Sequence, residues 1–379
     1  MHDNDCLGEA ARIMTICNAC RYCEGLCAVF PAMEMRRTFT AADLNYLANL
    51  CHACGACYFD CQYSPPHEFA VNVPATLAEV RSRSFQTYAW PRAFARLFEH
   101  NGLTISLAAA LSVAAFVLGF VGMNDPAVLF ASHSGAGAFY RLMPHAALVA
   151  IFGAAFLYAC MAMAMGVRQF WREGGVVPDE PGPTQSTWRA VKDAMTLRYL
   201  DGGGAGCMNE DERPTDRRRL FHHLAFYGFL LCFASTLTAT FYHYGLGREA
   251  PYAWHEAPVL LGTLGGIGLV IGPLGLLAEL SRREPALRNQ PRTGMDVAFI
   301  VMLFLTGATG LLLLAFRSTP AMGILLALHL GVVFGFFITM PYGKFMHGIY
   351  RFAALTRYAK ERAGPAEPAA RGTGLRGAG

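Results

Sequence analysis

Charge is scarce in this chain. Of its 379 residues, 15% are Asp, Glu, Lys or Arg and 54% are hydrophobic, where an average soluble domain carries roughly 25% charge and 45–50% apolar residues. So small a charged fraction excludes an ordinary water-soluble globule, and the same figures exclude disorder. No collagen-like or coiled-coil repeat is present. The net charge of +4 is too small to argue for a nucleic-acid partner, and none is expected. A basic start followed by an apolar run is missing from the N-terminal region, where Asp3, Asp5 and Cys6 intervene, so no secretory signal is expected. Also absent are a phosphate loop ending in Gly-Lys-Ser/Thr, a Ser-His-Asp arrangement and a dinucleotide fingerprint in its strand context. The chain is therefore not expected to bind an organic substrate itself.

What the sequence has is long apolar stretches, at 105–123, 143–167, 220–245, 257–280, 295–316 and 320–341. Each is close to or longer than the roughly 20 residues a helix needs to cross a hydrocarbon core of about 30 Å. Period-2 alternation is missing, so these are six transmembrane helices rather than barrel strands; buried helices of a large soluble protein are the alternative. With both termini cytoplasmic, the loops on the far side hold only Arg141, Arg248 and Arg317, and the other 28 of 31 basic residues face the cytoplasm. Among them are Arg217, Arg218 and Arg219 before the third span and Arg282, Arg283, Arg288 and Arg292 after the fourth. Such asymmetry is the positive-inside pattern of a multi-pass protein of the cytoplasmic (inner) membrane. Three regions follow: a cytoplasmic head at 1–100, a membrane region at 101–350 with a long cytoplasmic loop at 168–219, and a largely disordered tail at 351–379. In the long loop Pro178, Pro181 and Pro183 read as irregular, 187–199 as a short amphipathic helix, and Asp201-Gly-Gly-Gly-Ala-Gly206 as a flexible connection.

Twelve cysteines are present, eight of them between Cys17 and Cys61. They form Cys17-x2-Cys20-x2-Cys23-x3-Cys27 and Cys51-x2-Cys54-x2-Cys57-x3-Cys61, two runs of identical spacing. Three cysteines so spaced wrap three corners of a cubane, and the fourth ligates the other cluster in two-cluster ferredoxins. The spacing thus predicts one 4Fe–4S cluster on Cys17, Cys20, Cys23 and Cys61, and a second on Cys51, Cys54, Cys57 and Cys27. Zinc, the alternative, takes cysteines in paired C-x2-C knuckles and fits two such four-cysteine runs poorly. The proline that usually follows the last cysteine is displaced to Pro31 and Pro65. Gly25 and Gly55 suit tight turns, and Thr40-Ala-Ala-Asp43 before Leu44, Leu47 and Leu50 predicts a capped helix, which favours an α-helical two-cluster ferredoxin-like domain. Cys160 and Cys232 read as small buried residues; Cys6 and Cys207 carry no assignment.

Ionisable residues within spans are functional hypotheses by default, and histidine is the usual axial ligand of a b-type haem. His329 and His347 are 18 residues apart, which at about 100° per residue puts both on one face of one helix, about 27 Å apart. His222 or His223 is expected to meet His347 at the cytoplasmic end of antiparallel helices, and His243 to meet His329 nearer the far side. His145 is a rival outer ligand. One or two b haems follow from these candidates. Lys344 and Tyr342 near His347 serve equally as partners for a quinone or as interfacial anchors.

The two cysteine runs, the Asp201-Gly-Gly-Gly segment and the stretch Glu212-Arg-Pro-Thr-Asp-Arg-Arg-Arg-Leu-Phe-His-His-Leu-Ala-Phe-Tyr-Gly228 closely resemble the tricarballylate/citrate utilisation protein B family, over nearly the whole chain except the tail. The resemblance implies an all-α membrane protein: a two-cluster ferredoxin-like domain followed by a six-helix bundle resembling haem b electron-transfer subunits. It implies a carrier that reoxidises the reduced FAD of a soluble cytoplasmic dehydrogenase, tricarballylate dehydrogenase in type members, and passes electrons to the quinone pool. A related domain is fused to a flavoprotein in cobalamin synthesis, which leaves the pathway open. The 18-residue histidine spacing resembles that of the gamma subunit of respiratory nitrate reductase, as fold analogy alone. A tricarboxylate transporter with a redox-sensing head is the rival class; the Gly262–Gly275 stretch with Pro273 suits it, or suits close helix packing.

Overall fold

The computed structural model describes residues 3–96, 100–175, 183–287 and 293–363. Pro178, Pro181, Arg288, Arg292 and the tail beyond 363 lie outside the described residues. The head opens with α1 (Asp3–Cys20), α2 (Val29–Glu34), α3 (Ala41–Leu50), α4 (Ala56–Phe59) and α5 (Val73–Thr87). The expected cap of α3 is present: the Thr40 hydroxyl accepts from the Asp43 amide and the Asp43 carboxylate from the Thr40 amide, each at 3.2 Å. Such a cap contributes about 1 kcal/mol by satisfying otherwise orphaned amides. It sets the register that buries Leu44, Leu47 and Leu50 against Ile13, Met14, Phe30, Leu77 and Val80, the centre of the head's core.

The remainder runs α6 (Arg92–Ala95), α7 (Asn101–Met123), α8 (Pro126–Leu129), α9 (His145–Glu173), α10 (Pro183–Met195), α11 (Arg217–Leu246), α12 (Ala257–Ser281), α13 (Thr293–Phe316), α14 (Met322–Thr339) and α15 (Met346–Glu361). Six helices are long and apolar enough to cross a membrane: α7, α9, α11, α12, α13 and the Met322–Tyr342 segment containing α14. These are the six stretches expected from the sequence, and they make the chain a multi-pass, all-α membrane protein. Among the described residues the β structure is one isolated antiparallel bridge, Cys207 with Thr215. Leu111 and Leu118 are each 70% exposed on the outside of the bundle, a cost in water that lipid removes.

The closest helix pair is α11 with α12. A Cβ on Gly268 would lie 2.7 Å from the Leu224 carbonyl, and one on Gly228 would lie 2.9 Å from the Gly265 carbonyl. The glycines of α12 therefore let two backbones touch, where packing rather than the hydrophobic effect must hold helices together. Gly268→Val is expected to lower the midpoint of thermal unfolding in detergent, at a cost of about 1–3 kcal/mol for overpacking.

Two expectations are corrected. His329 and His347 do not share one helix: α14 ends at Thr339, a 3-10 turn covers Met340–Tyr342, and α15 begins at Met346. Pro341 supplies no amide to continue the ladder, so the helical register is not carried across. The expected boundary at 350 also cuts a helix. Residues 351–361 are no disordered tail: Tyr350, Ala354, Leu355 and Tyr358 of α15 are buried in the head's core. Glu361 pairs with Arg36 at 2.6 Å and with Arg357 at 2.8 Å, and accepts from Tyr46 at 2.9 Å. Through α15 the head and the membrane region share one hydrophobic cluster.

Candidate metal centres

The eight cysteines of the two runs lie in two adjoining neighbourhoods. The Cys17 thiol interacts electrostatically with Cys20, Cys23 and Cys61, and Cys23 with Cys61 and Cys20. Cys27 instead interacts with Cys54 and Cys51, and Cys57 with Cys54, Cys27 and Cys51 and, least, with Cys23 of the first set. The fourth cysteine of each run thus sits with the other run. Cys17, Cys20, Cys23 and Cys61 line a cavity of about 250 Å³, and Cys57 reaches its wall. Burial first, then the neighbouring thiols, pushes Cys17 and Cys23 up to about 12. Such thiols ionise only when something cationic takes the charge, as a metal core does. Among the described residues no three Cys, His, Asp or Glu side chains close on a single ion. In a cubane each thiolate binds a different iron, so a donor set too wide for one ion still suits the cluster, and all-sulfur donors are its chemistry.

The turns that carry the thiols are built for close approach. Gly55 has φ +91°, and a Cβ there would lie 3.1 Å from the Met208 carbonyl. Gly25 has open space around its α-carbon, so its expected steric role is not needed. The 201–206 segment, expected to be a flexible connection, is a strap. Asp201 caps it, its carboxylate accepting from Gly203 N at 3.3 Å and its carbonyl from Gly204 N at 2.9 Å. The strap packs Gly203 against Leu26 and Gly202 against Ala56, and Met208 N donates to the Cys54 carbonyl at 2.9 Å. Cys207 is 1% exposed and acts electrostatically on Cys54, a fifth thiol beside the second set.

Below the second run, between head and membrane, lies a cavity of about 140 Å³. Its walls include His52, His222 and His347, five cations (Arg81, Arg218, Arg283, Lys344 and Arg351) and two acids, Glu279 and Asp296. Lys344 pairs with Asp296 at 2.8 Å, and Glu279 accepts from Asn209 at 3.1 Å. His222 and His347 meet here with ring centres 6.0 Å apart and planes at 75°. The two rings lie edge to face across one cavity, close enough for both imidazoles to reach one metal ion. The His347 Nδ1 bonds the Lys344 carbonyl, which leaves Nε2 free for a metal, and the buried His222 Nδ1 has no hydrogen-bond partner. Burial, then Arg351 and Lys344, holds His347 well below the ordinary imidazole range, in the neutral form that ligates. His222 and His347 are the residues that would hold a metal such as a haem iron here.

Of the two expected partners of His243, the structure brings His145 rather than His329 to it. His243 stacks on His145 with centroids 3.8 Å apart and planes at 20°, flanked by Tyr140 and Tyr244. No metal fits between rings in van der Waals contact. His329 bonds the Thr309 hydroxyl at 2.9 Å, in the middle of the bundle, because it lies several residues deeper than His243. His223 turns away from His347, onto Tyr227 and the backbone at Met195 and Thr196. Tyr342 is engaged by Tyr158 and donates to the Trp90 carbonyl at 2.9 Å.

Sequence reasoning missed His52, Arg81 and Arg351 outright, and read Arg218 and Arg283 only as topology markers. One signal was available: a basic residue at the cytoplasmic end of each of several elements, beside a predicted cluster.

Two family models match. Residues 10–87 match the Fer4-like domain of citrate utilization protein B, and residues 96–368 match citrate utilization protein B itself. Citrate utilization protein B of Escherichia coli is 51% identical over 356 residues, covering 93% of this chain and 92% of that protein. No solved structure matches. The Fer4-like head on a six-span all-α body, the two family models that together span residues 10–368 with a short gap, and the relative matched over 93% of the chain place it in the citrate utilization protein B family.

Proposed function

We propose that this chain is a membrane electron-transfer protein. It reoxidises the reduced FAD of a soluble dehydrogenase, tricarballylate dehydrogenase-like, and delivers the electrons to the quinone pool. Cys17, Cys20, Cys23 and Cys61 hold one 4Fe–4S cluster, Cys27, Cys51, Cys54 and Cys57 the second, and His222 with His347 one b haem. These groups supply one-electron steps between a two-electron flavin and a two-electron quinone. The observation that carries the reading is the exchange of Cys27 and Cys61 between the two thiol sets, with His52 of the second run lining the same cavity as His222 and His347.

The chain's own residues set the order. Tyr22, between Cys20 and Cys23, is 75% exposed, whereas Cys51 is 6% exposed. The first set, whose cavity opens beside Arg21 and Tyr22 at the surface, is therefore the inlet that a flavoprotein reaches. The imbalance of basic residues supports a cytoplasmic head at the inner membrane, with both termini on that side. No haem is assigned to His145 and His243. The glycines of α12 serve helix packing, which removes the feature that favoured a transporter. The name of the Escherichia coli relative makes citrate a second candidate for the partner's substrate, and a cobalamin-pathway flavoprotein is a third donor.

Membranes carrying the chain, mixed with the candidate flavoprotein, are expected to reduce a quinone on addition of tricarballylate, and to stop when either component is omitted. Undiminished quinone reduction by the flavoprotein alone would contradict the proposal.

A further inference from the structure

Four arginines from four parts of the fold converge on three consecutive carbonyls. Arg351 of α15 donates Nη2 to the Cys51 carbonyl at 2.8 Å, and Arg81 of α5 donates to the same oxygen. Arg218, at the start of α11, donates to the Ala53 carbonyl at 2.8 Å and the His52 carbonyl at 3.2 Å. Arg283, just beyond α12, donates to the Ala53 carbonyl at 3.4 Å. The Arg351 Nε is buried with no hydrogen-bond partner. Of the two acids in the same cavity, Asp296 pairs with Lys344 and also acts on Arg81 and Arg283, one carboxylate shared among three cations, and Glu279 faces Asn209 and, at 4.0 Å, Arg282. Carbonyl dipoles and one shared carboxylate do not neutralise this many cations, of which Arg81 is buried and the other three arginines half-buried, and a poorly compensated charge away from water is costly. Around the first thiol set the charges are of another kind: Asp60 acts on Cys23, and Arg21 lies beside the same cavity at the surface.

We infer that Arg81, Arg218, Arg283 and Arg351 form a cationic seat that gives the cluster held by Cys27, Cys51, Cys54 and Cys57 the higher reduction potential of the two. The inference rests on the proposed pair of clusters. Reduction adds one negative charge. Cations that are fixed, close and shielded from salt stabilise the reduced form, and charge and hydrogen bonding are the protein's levers on cluster potential. One electron leaves the first cluster, which is oxidised, as the second is reduced, with no bond made or broken. The same four side chains tie the ligand loop to α5, α11, α12 and α15, so the seat that sets the direction of transfer also docks the head onto the membrane region.

The test is a potentiometric titration of the purified full-length protein, followed by low-temperature EPR. Signals are assigned to each cluster with Cys61→Ser and Cys27→Ser. In Arg351→Gln and Arg218→Gln the midpoint of the second cluster is expected to fall while that of the first stays. In Arg351→Lys and Arg218→Lys, which keep the charge, it is expected to stay near the unmutated value. A wild-type second cluster with the lower midpoint, or midpoints unmoved in both Gln variants, would overturn the inference. So would loss of the second cluster from the Gln and Lys variants alike, which would make the arginines purely structural. A second cluster missing from the unmutated protein would instead overturn the proposed function.

Discussion

Cys61→Ser is expected to remove the EPR signal of the first cluster and leave the second, and Cys27→Ser to do the reverse. Each variant should lose about half the iron of the unmutated protein. The expectation is specific because sequence proximity argues the other way. Cys61 is four residues from Cys57 but interacts electrostatically with Cys17 and Cys23, and Cys27 is four residues from Cys23 but interacts with Cys51 and Cys54. The chain crosses between the sets at the end of each run. If each run held its own cluster, Cys61→Ser would damage the second signal instead. Serine keeps the volume and a hydroxyl, so loss of iron reports ligation rather than collapse of the core.

The second large effect concerns haem. His347→Ala and His222→Ala are each expected to abolish most of the α-band of dithionite-reduced protein, because a six-coordinate b haem needs both imidazoles. His145→Ala, His243→Ala and His329→Ala are expected to retain it. His145 and His243 lie ring on ring and His329 is held by Thr309, so none faces a gap that an iron could fill. Retention of the band in His347→Ala would refute the assignment, and absence of any band in the unmutated protein would remove haem from the account.

The six spans were legible because lipid imposes one rule on every exposed position, and a run of apolar residues records it directly. The head was legible for a similar reason: ligand spacing is local in the chain, and the Thr40–Asp43 cap marks the start of the helix between the runs. What sequence did not disclose are contacts between distant segments. The break at Pro341 looked like the end of a span, yet His347 was carried through it on a helical register that the 3-10 turn destroys. The Gly-rich strap looked flexible because glycine permits many conformations, whereas here Gly202, Gly203 and Gly206 pack on Ala56, Leu26 and Thr215. Arg218 was read for its side of the membrane. Its reach to carbonyls 165 and 166 residues earlier in the chain leaves no local trace. The burial of α15 was hidden because its apolar face, with Tyr350, Ala354 and Tyr358, is covered by the head rather than by lipid.

The central claim is that this chain carries electrons from a cluster-bearing head into the membrane. Its most direct test uses the purified full-length protein, reduced with dithionite, freed of excess reductant and mixed with a short-chain quinone. About nine iron atoms per chain are expected, eight in the clusters and one in the haem, with two cluster signals on reduction that disappear as quinol forms. Zinc in place of iron, or reduced clusters that persist in the presence of the quinone, would contradict it.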